Sequence, residues 1–153
     1  MTPPLRIAQV APVATSVPPP FSGSIESLTA LLTDGLVAAG HAVTLFATGE
    51  SRTRAALHAT FARGYREDPE NWPWELCELI NLAAAVERAP SFDVIHYQAK
   101  YHPLSLPFAR LAGVPQVVAS ASTRPNGSSA CTGYSSARAP PRSAALAAPV
   151  CRS

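Results

Sequence analysis

Two short stretches of this chain place polar groups where folded proteins commonly meet small molecules. Ser22-Gly23-Ser24 stands just ahead of a leucine-rich run with helical spacing. Backbone N–H groups at a helix start, with the positive end of the dipole, attract phosphate, and a glycine lets the ligand approach the backbone closely. A glycine that merely permits the turn accounts for Gly23 as well. The second stretch, His96-Tyr97-Gln98, closes the run Phe92-Asp93-Val94-Ile95 and gathers an imidazole, a phenol and an amide at a strand end. Such groups hold polar ligands. A histidine satisfied by a backbone carbonyl is the alternative.

Other chemistries are poorly served. Glu50 lies near the end of a second strand-like run, where an acid would hold a ribose. The dinucleotide fingerprint G-x-G-x-x-G, however, is reduced to Gly23, about a dozen residues beyond Val10. His41, His58, His96 and His102 show no metal-ligand spacing with a carboxylate or cysteine, so no metal is expected. His41 follows Gly40 at a helix end, a capping position, and His102 reads as a solvated loop residue. Cys77, Cys131 and Cys151 form neither a C-x-x-C pair nor a disulfide framework. Trp72-Pro73-Trp74 reads as a hydrophobic cover on the helix that follows.

These groups need elements to carry them. Leu5–Val10 alternates and then meets Pro12, as a first strand would. Val17-Pro18-Pro19-Pro20 reads as loop. Leu28, Leu31, Leu32 and Leu36 form one helical stripe, with Ser24 as N-cap and Gly40 as C-cap. Ala42–Ala47 is a short apolar, β-branched run, as suits a strand buried on both faces. Leu57–Arg63 fits a strand or a helical turn. Leu76, Leu79, Ile80, Ala83 and Val86 mark a helix over Trp74–Arg88, which Pro90 stops. Phe92–Tyr97 reads as strand, Pro103–Leu111 as helix and Val114–Val118 as a last strand. This order predicts an α/β fold, a single Rossmann-like doubly wound parallel sheet.

Composition divides the 153 residues near Ala119. Residues 1–118 carry 8 Lys/Arg against 10 Asp/Glu, while residues 119–153 carry 4 Arg and no acid. The basic balance therefore belongs to the tail, and no basic face for nucleic acid is expected. Of those last 35 residues, 25 are Ala, Ser, Pro or Arg, too few large apolar groups to offset chain entropy, so disorder is expected there. No apolar run is long enough to span a bilayer, and the first residues lack a signal-peptide pattern, which predicts a cytoplasmic protein. An exposed strand edge at the end of such a sheet would favour self-association.

Four segments together resemble family 4 glycosyltransferases. Arg6-Ile7-Ala8-Gln9-Val10-Ala11-Pro12 is similar to their opening strand, and Ser22-Gly23-Ser24-Ile25-Glu26 to their Gly-Gly-Ile-Glu loop. Gly40-His41-Ala42-Val43-Thr44-Leu45-Phe46-Ala47 and Phe92-Asp93-Val94-Ile95-His96 resemble two further strands of that family, in the same order. The resemblance covers residues 5–118. It implies the N-terminal, acceptor-side domain of a GT-B fold, whose second domain holds the nucleotide-sugar. The reaction implied is retaining sugar transfer without an essential metal. Gly23 and Ser24 would then lie near the donor phosphate, and His96, Tyr97 and Gln98 would face the acceptor cleft.

Three departures qualify this. Ser22 replaces the first glycine of the loop. After Val118 the family usually presents a Thr-x-His segment, whereas this chain has Ala119-Ser120-Ala121-Ser122-Thr123 and no later histidine, so no catalytic residue is assigned. The second domain's signature is missing too. The resemblance thus predicts a truncated, inactive fragment whose tail arises from an out-of-frame or degenerate coding end. The alternative is a non-catalytic Rossmann-like module that binds a phosphorylated ligand or a protein partner.

Overall fold

The computed structural model describes residues 3–99, 105–120 and 133–137. Its elements run β1 (Arg6–Val10), α1 (Ser24–Ala38), β2 (Ala42–Thr48), β3 (Ala56–Phe61), α2 (Trp74–Glu87), a 3-10 turn (Ala89–Ser91), β4 (Val94–Ala99), α3 (Leu106–Leu111), β5 (Gln116–Ser120) and β6 (Gly133–Ala137). The strands form one sheet in the order β3-β2-β1-β4-β5-β6. The first five are parallel, which is the predicted α/β arrangement. Parallel neighbours need crossover connections. α1 links β1 to β2 and α3 links β4 to β5, α2 carries the chain from β3 back to β4, and β2 reaches its parallel neighbour β3 through residues 49–55 without a helix. The ambiguous Leu57–Arg63 run proves to be β3, parallel to β2.

Beyond Val118 the structure differs from the reading. β5 continues to Ser120, and Gly133–Ala137 pairs antiparallel with it, Ser120 opposite Gly133 and Gln116 opposite Ala137. The composition argument concerned core burial. An edge strand joins by backbone hydrogen bonds alone, and the proline-free run Gly133-Tyr134-Ser135-Ser136-Ala137 permits that ladder. The rest of the expected disordered tail lies outside the described residues.

The core has two layers. Ala8 and Val10 of β1, Phe46, Ile95 and Tyr97 pack against Leu82 and Ala85 of α2, with Phe92, Ala112 and Val118. On the other face Ala11, Val17, Leu45 and Ala47 pack with Ala30 of α1. Both helices present a different face from the predicted one. α1 buries Glu26, Thr29 and Thr33, while Leu31 stays 75% exposed. α2 buries Cys77, Glu78, Asn81, Leu82 and Ala85, while Leu76 is 48% exposed. The buried stripe is thus rotated by about one residue from the leucine stripe in each case. Beyond α1, residues 39–41 make the expected stop: Gly40 takes φ 89°, Gly40 N–H donates to the Val37 carbonyl and His41 N–H to that of Leu36.

Candidate functional site at the carboxyl edge

The chain leaves β1 at Val10 and crosses the carboxyl edge of the sheet as a loop before α1 begins. Prolines at 12 and 18–20 keep it from becoming helix or ladder strand. The loop is tied down along its length. Ala11 N–H donates to the Phe46 carbonyl (3.0 Å), Tyr65 N–H to the Val13 carbonyl (3.1 Å) and Arg52 N–H to the Val17 carbonyl (2.7 Å). Thr15 Oγ1 donates to Glu67 Oε1 at 2.6 Å, and Val17 N–H to Ser51 Oγ at 2.9 Å. Gly64 sits so close beneath that a Cβ there would strike the Ala14 carbonyl. A loop held this way is a fixed wall.

Two α2 side chains, one turn apart, complete the fixture from below. Glu78 Oε1 accepts the Val13 N–H at 3.2 Å. Asn81 Nδ2 donates to the carbonyls of Ala11 (3.0 Å) and Phe46 (3.2 Å), while Asn81 Oδ1 accepts from Thr60 Oγ1 at 2.9 Å. One buried amide therefore joins the ends of β1, β2 and β3. The apolar periodicity gave no hint of it. The signal available was two polar residues at i and i+3 in the middle of the helix, each flanked on both sides by apolar residues.

The electrostatics follow from that burial. Burial first, then the Glu78 carboxylate, pushes the Tyr65 and Tyr97 hydroxyls well above the usual phenol range. Both remain protonated donors at neutral pH. Burial and Glu78 likewise push the Cys77 thiol up, which makes it a poor nucleophile. Among the described residues no cluster of three or more His, Cys, Asp or Glu side chains is arranged to hold a metal ion.

Gly23, not Ser24, is the N-cap of α1, with no side-chain cap. The Glu26 carboxylate folds back beside it: a Cβ on Gly23 would lie 2.5 Å from Glu26 Oε2 and 3.1 Å from Pro19 Cβ. Any larger residue must displace one of them. Glu26 thus brings negative charge to the helix end that the sequence reading reserved for phosphate.

His96, Tyr97 and Gln98 lie inside β4 and point alternately to its two faces. Tyr97 joins the α2 core. His96 is buried on the α1 face, where its Nδ1 meets Gln9 Oε1 of β1 at 2.9 Å, and burial lowers its pKa so that the ring is neutral. It borders an apolar groove of about 210 Å³ formed with Ile7, Leu32, Leu36, Val94 and Val117. Gln98 is buried as well. The structure therefore gathers the Gly23 loop, Glu78 and the ends of β1–β3, while His96 and Tyr97 face opposite sides of the sheet.

Of the remaining candidates, Glu50 pairs with Arg63 (3.3 Å) and His41 Nδ1 accepts Leu5 N–H (3.1 Å). Trp72 is largely exposed, while Trp74 stacks at a tilt on Tyr65, 6.2 Å between centroids. His102 lies outside the described residues.

A parallel sheet with a glycine-bearing loop at its carboxyl edge is common to many nucleotide and sugar enzymes. The decisive observation is at the level of sequence: the family model of the glycosyl transferase 4-like domain matches residues 23–153. The chain belongs to that family. The glycosyl transferase 4-like match opens at Gly23, at the α1 cap, and takes in β2 through β6. It extends across residues 119–153, which the sequence reading set apart from the resemblance. No curated protein matches the chain. Among the described residues no helix is long and apolar enough to cross a membrane.

Proposed function

We propose that this glycosyl transferase 4-like domain forms the acceptor-side wall of a retaining sugar transfer from a nucleotide-sugar to an acceptor. The family match, lying on a sheet whose carboxyl edge carries a rigidly tied glycine loop, is the observation that supports this reading. In it, the first-turn N–H groups of α1 at Gly23 and Ser24 meet the donor phosphate. Glu26 competes for the same helix end. His96, Tyr97 and Gln98 act from within β4, behind the acceptor cleft: His96 and Gln98 from the α1 face, Tyr97 by anchoring the strand in the α2 core. The second wall, with cations for the leaving diphosphate, comes from outside these residues, so the chain alone transfers no sugar. Holding both reactants in one closed cleft is worth roughly 7–11 kcal/mol of barrier, which one wall does not supply. The reading also includes a cytoplasmic location and self-association through an exposed sheet edge.

The test is thermal melting of the purified chain with nucleotide-sugars, phosphosugars and dinucleotides. A ligand at ~100-fold excess over its Kd stabilises by about 2.7 kcal/mol. Nucleotide-sugar stabilisation that vanishes in Gly23→Val and grows in Glu26→Gln is the expected result. Stabilisation by dinucleotides alone would overturn the reading. So would radiolabelled sugar transfer by the isolated chain, as far as its inactivity is concerned.

A further inference from the structure

The amino edge of the sheet, opposite the loops, carries its own groove. It measures about 420 Å³, within the ~300–1,000 Å³ typical of small-molecule sites, whereas the groove under α1 falls below that range. Ala42, Ala56 and Phe92 make the apolar part of its lining and Arg6, Thr44, Arg88 and Ser91 the polar part, while Val43 contributes only backbone, its side chain facing α1. Nothing in the sugar-transfer reading uses it.

The two arginines come from separate elements. Arg6, the first residue of β1, is fixed by Asp93, with Nη2 to Oδ1 at 2.7 Å and Nε to Oδ2 at 3.3 Å. Asp93 Oδ2 also accepts the Arg6 backbone N–H at 2.8 Å, so its charge is well met. Arg88 is the C-cap of α2. A helix C-terminus accounts for a cation there but leaves the guanidinium without a counter-ion, and among the described residues no carboxylate lies within ion-pair distance of it. Its charge is felt nearby: burial, and then Arg88, lowers the pKa of His58 on β3.

We propose that this groove binds an organic phosphate monoester, the phosphate held between Arg6 and Arg88 and the apolar body resting on Ala42, Ala56 and Phe92. Two guanidinium groups with the Thr44 and Ser91 hydroxyls outnumber the two oxygens of a carboxylate and suit the three terminal oxygens of a phosphate. The five residues of β1 separate this groove from the loop edge by about 15 Å, at ~3.3 Å per residue, so occupancy of one leaves the other open. The proposal is independent of the sugar-transfer reading.

Calorimetric titration of the full chain with phenyl phosphate, inorganic phosphate and benzoate tests it, with amide NMR shifts to locate the ligand. Phenyl phosphate is expected to bind about tenfold tighter than either partial mimic, shifting the amides of Val43, Ser91 and Phe92. Arg88→Gln should weaken it about tenfold, the loss of a charge-assisted contact, while Arg88→Lys keeps part of the affinity. Arg110→Gln, which removes an equal charge from α3, should change nothing, and an unaltered melting transition shows that each variant is folded. Equal binding to the Arg88→Gln and Arg110→Gln variants overturns the proposal. So does benzoate or inorganic phosphate matching phenyl phosphate, or shifts confined to the Gly23 loop.

Discussion

On the α2 side of the sheet, eleven buried residues from five strands and helices join one cluster, with Leu82, Phe46 and Tyr97 fully enclosed. On the α1 side the corresponding cluster has four members, and the helix meets the sheet through Thr29, Ala30 and Thr33, with half-buried Leu32 and Leu36 lining a groove against it, while Leu28 and Leu31 face outward. The same sheet thus has a side that carries its stability and a side that is thinly covered. Burial of large apolar side chains is the dominant favourable term, so the two sides should answer very differently to mutation.

Truncating Leu82 to alanine should give the largest loss, about 2–5 kcal/mol, because the site is enclosed and collapses poorly. Denaturant unfolding measures it, and a loss below 1 kcal/mol would mean that the α2 side is as loose as the other. Asn81→Leu keeps the branched shape but leaves the Ala11 carbonyl without this donor, the Phe46 carbonyl with the Ala11 N–H alone and the Thr60 hydroxyl without its acceptor, which costs about 1–3 kcal/mol. Hydrogen exchange should then rise at Tyr65 and in the loop after β1. If exchange there stays slow, Asn81 is not what ties the loop.

On the α1 side the sign can reverse. Gly35 lies mid-helix, and a Cβ built on it meets nothing within 4 Å. Gly35→Ala should therefore stabilise by about 0.5–1 kcal/mol, raising the melting temperature. An effect in pH belongs to this side too. Burial lowers the pKa of His96, and the other residues lining its groove are all apolar. The unfolded chain therefore takes up a proton below the ordinary imidazole value of about 6.5 that the folded chain refuses. Stability should be full above that pH and fall as pH drops below it, and His96→Gln should flatten the slope in a melting series from pH 7 to pH 5. The smallest effect is expected at Leu31, where Leu31→Glu should change stability by no more than about 0.5 kcal/mol, as an exposed position does. A large loss would reveal a partner on this face.

Strand sites were legible because a buried parallel strand is a short apolar run whatever its neighbours, and Ala42–Thr48 and Arg6–Val10 needed no other information. Helix sites were legible in extent but not in orientation. A helix with apolar residues on most of its circumference offers several stripes of similar strength, and the leucines at 28, 31, 76 and the isoleucine at 80 marked the wrong one. The Gly23 loop was visible as a motif, yet the carboxylate of Glu26 folded against it was not.

The sequence by itself determined the α/β class, the parallel order of β1, β2, β4 and β5 with the helices between them, and the family, since these rest on local composition and on motifs read along the chain, whereas β3 and the antiparallel β6 came only with the structure. The tertiary structure alone decided which side of each helix is buried and that Glu78 and Asn81 of α2 hold a loop more than sixty residues earlier. It alone set His96 on Gln9 rather than at the sheet's edge, and joined Arg6 and Arg88 across one groove. Each of these depends on the packing of segments distant in the chain, and pairings of that kind leave no periodicity in either of them.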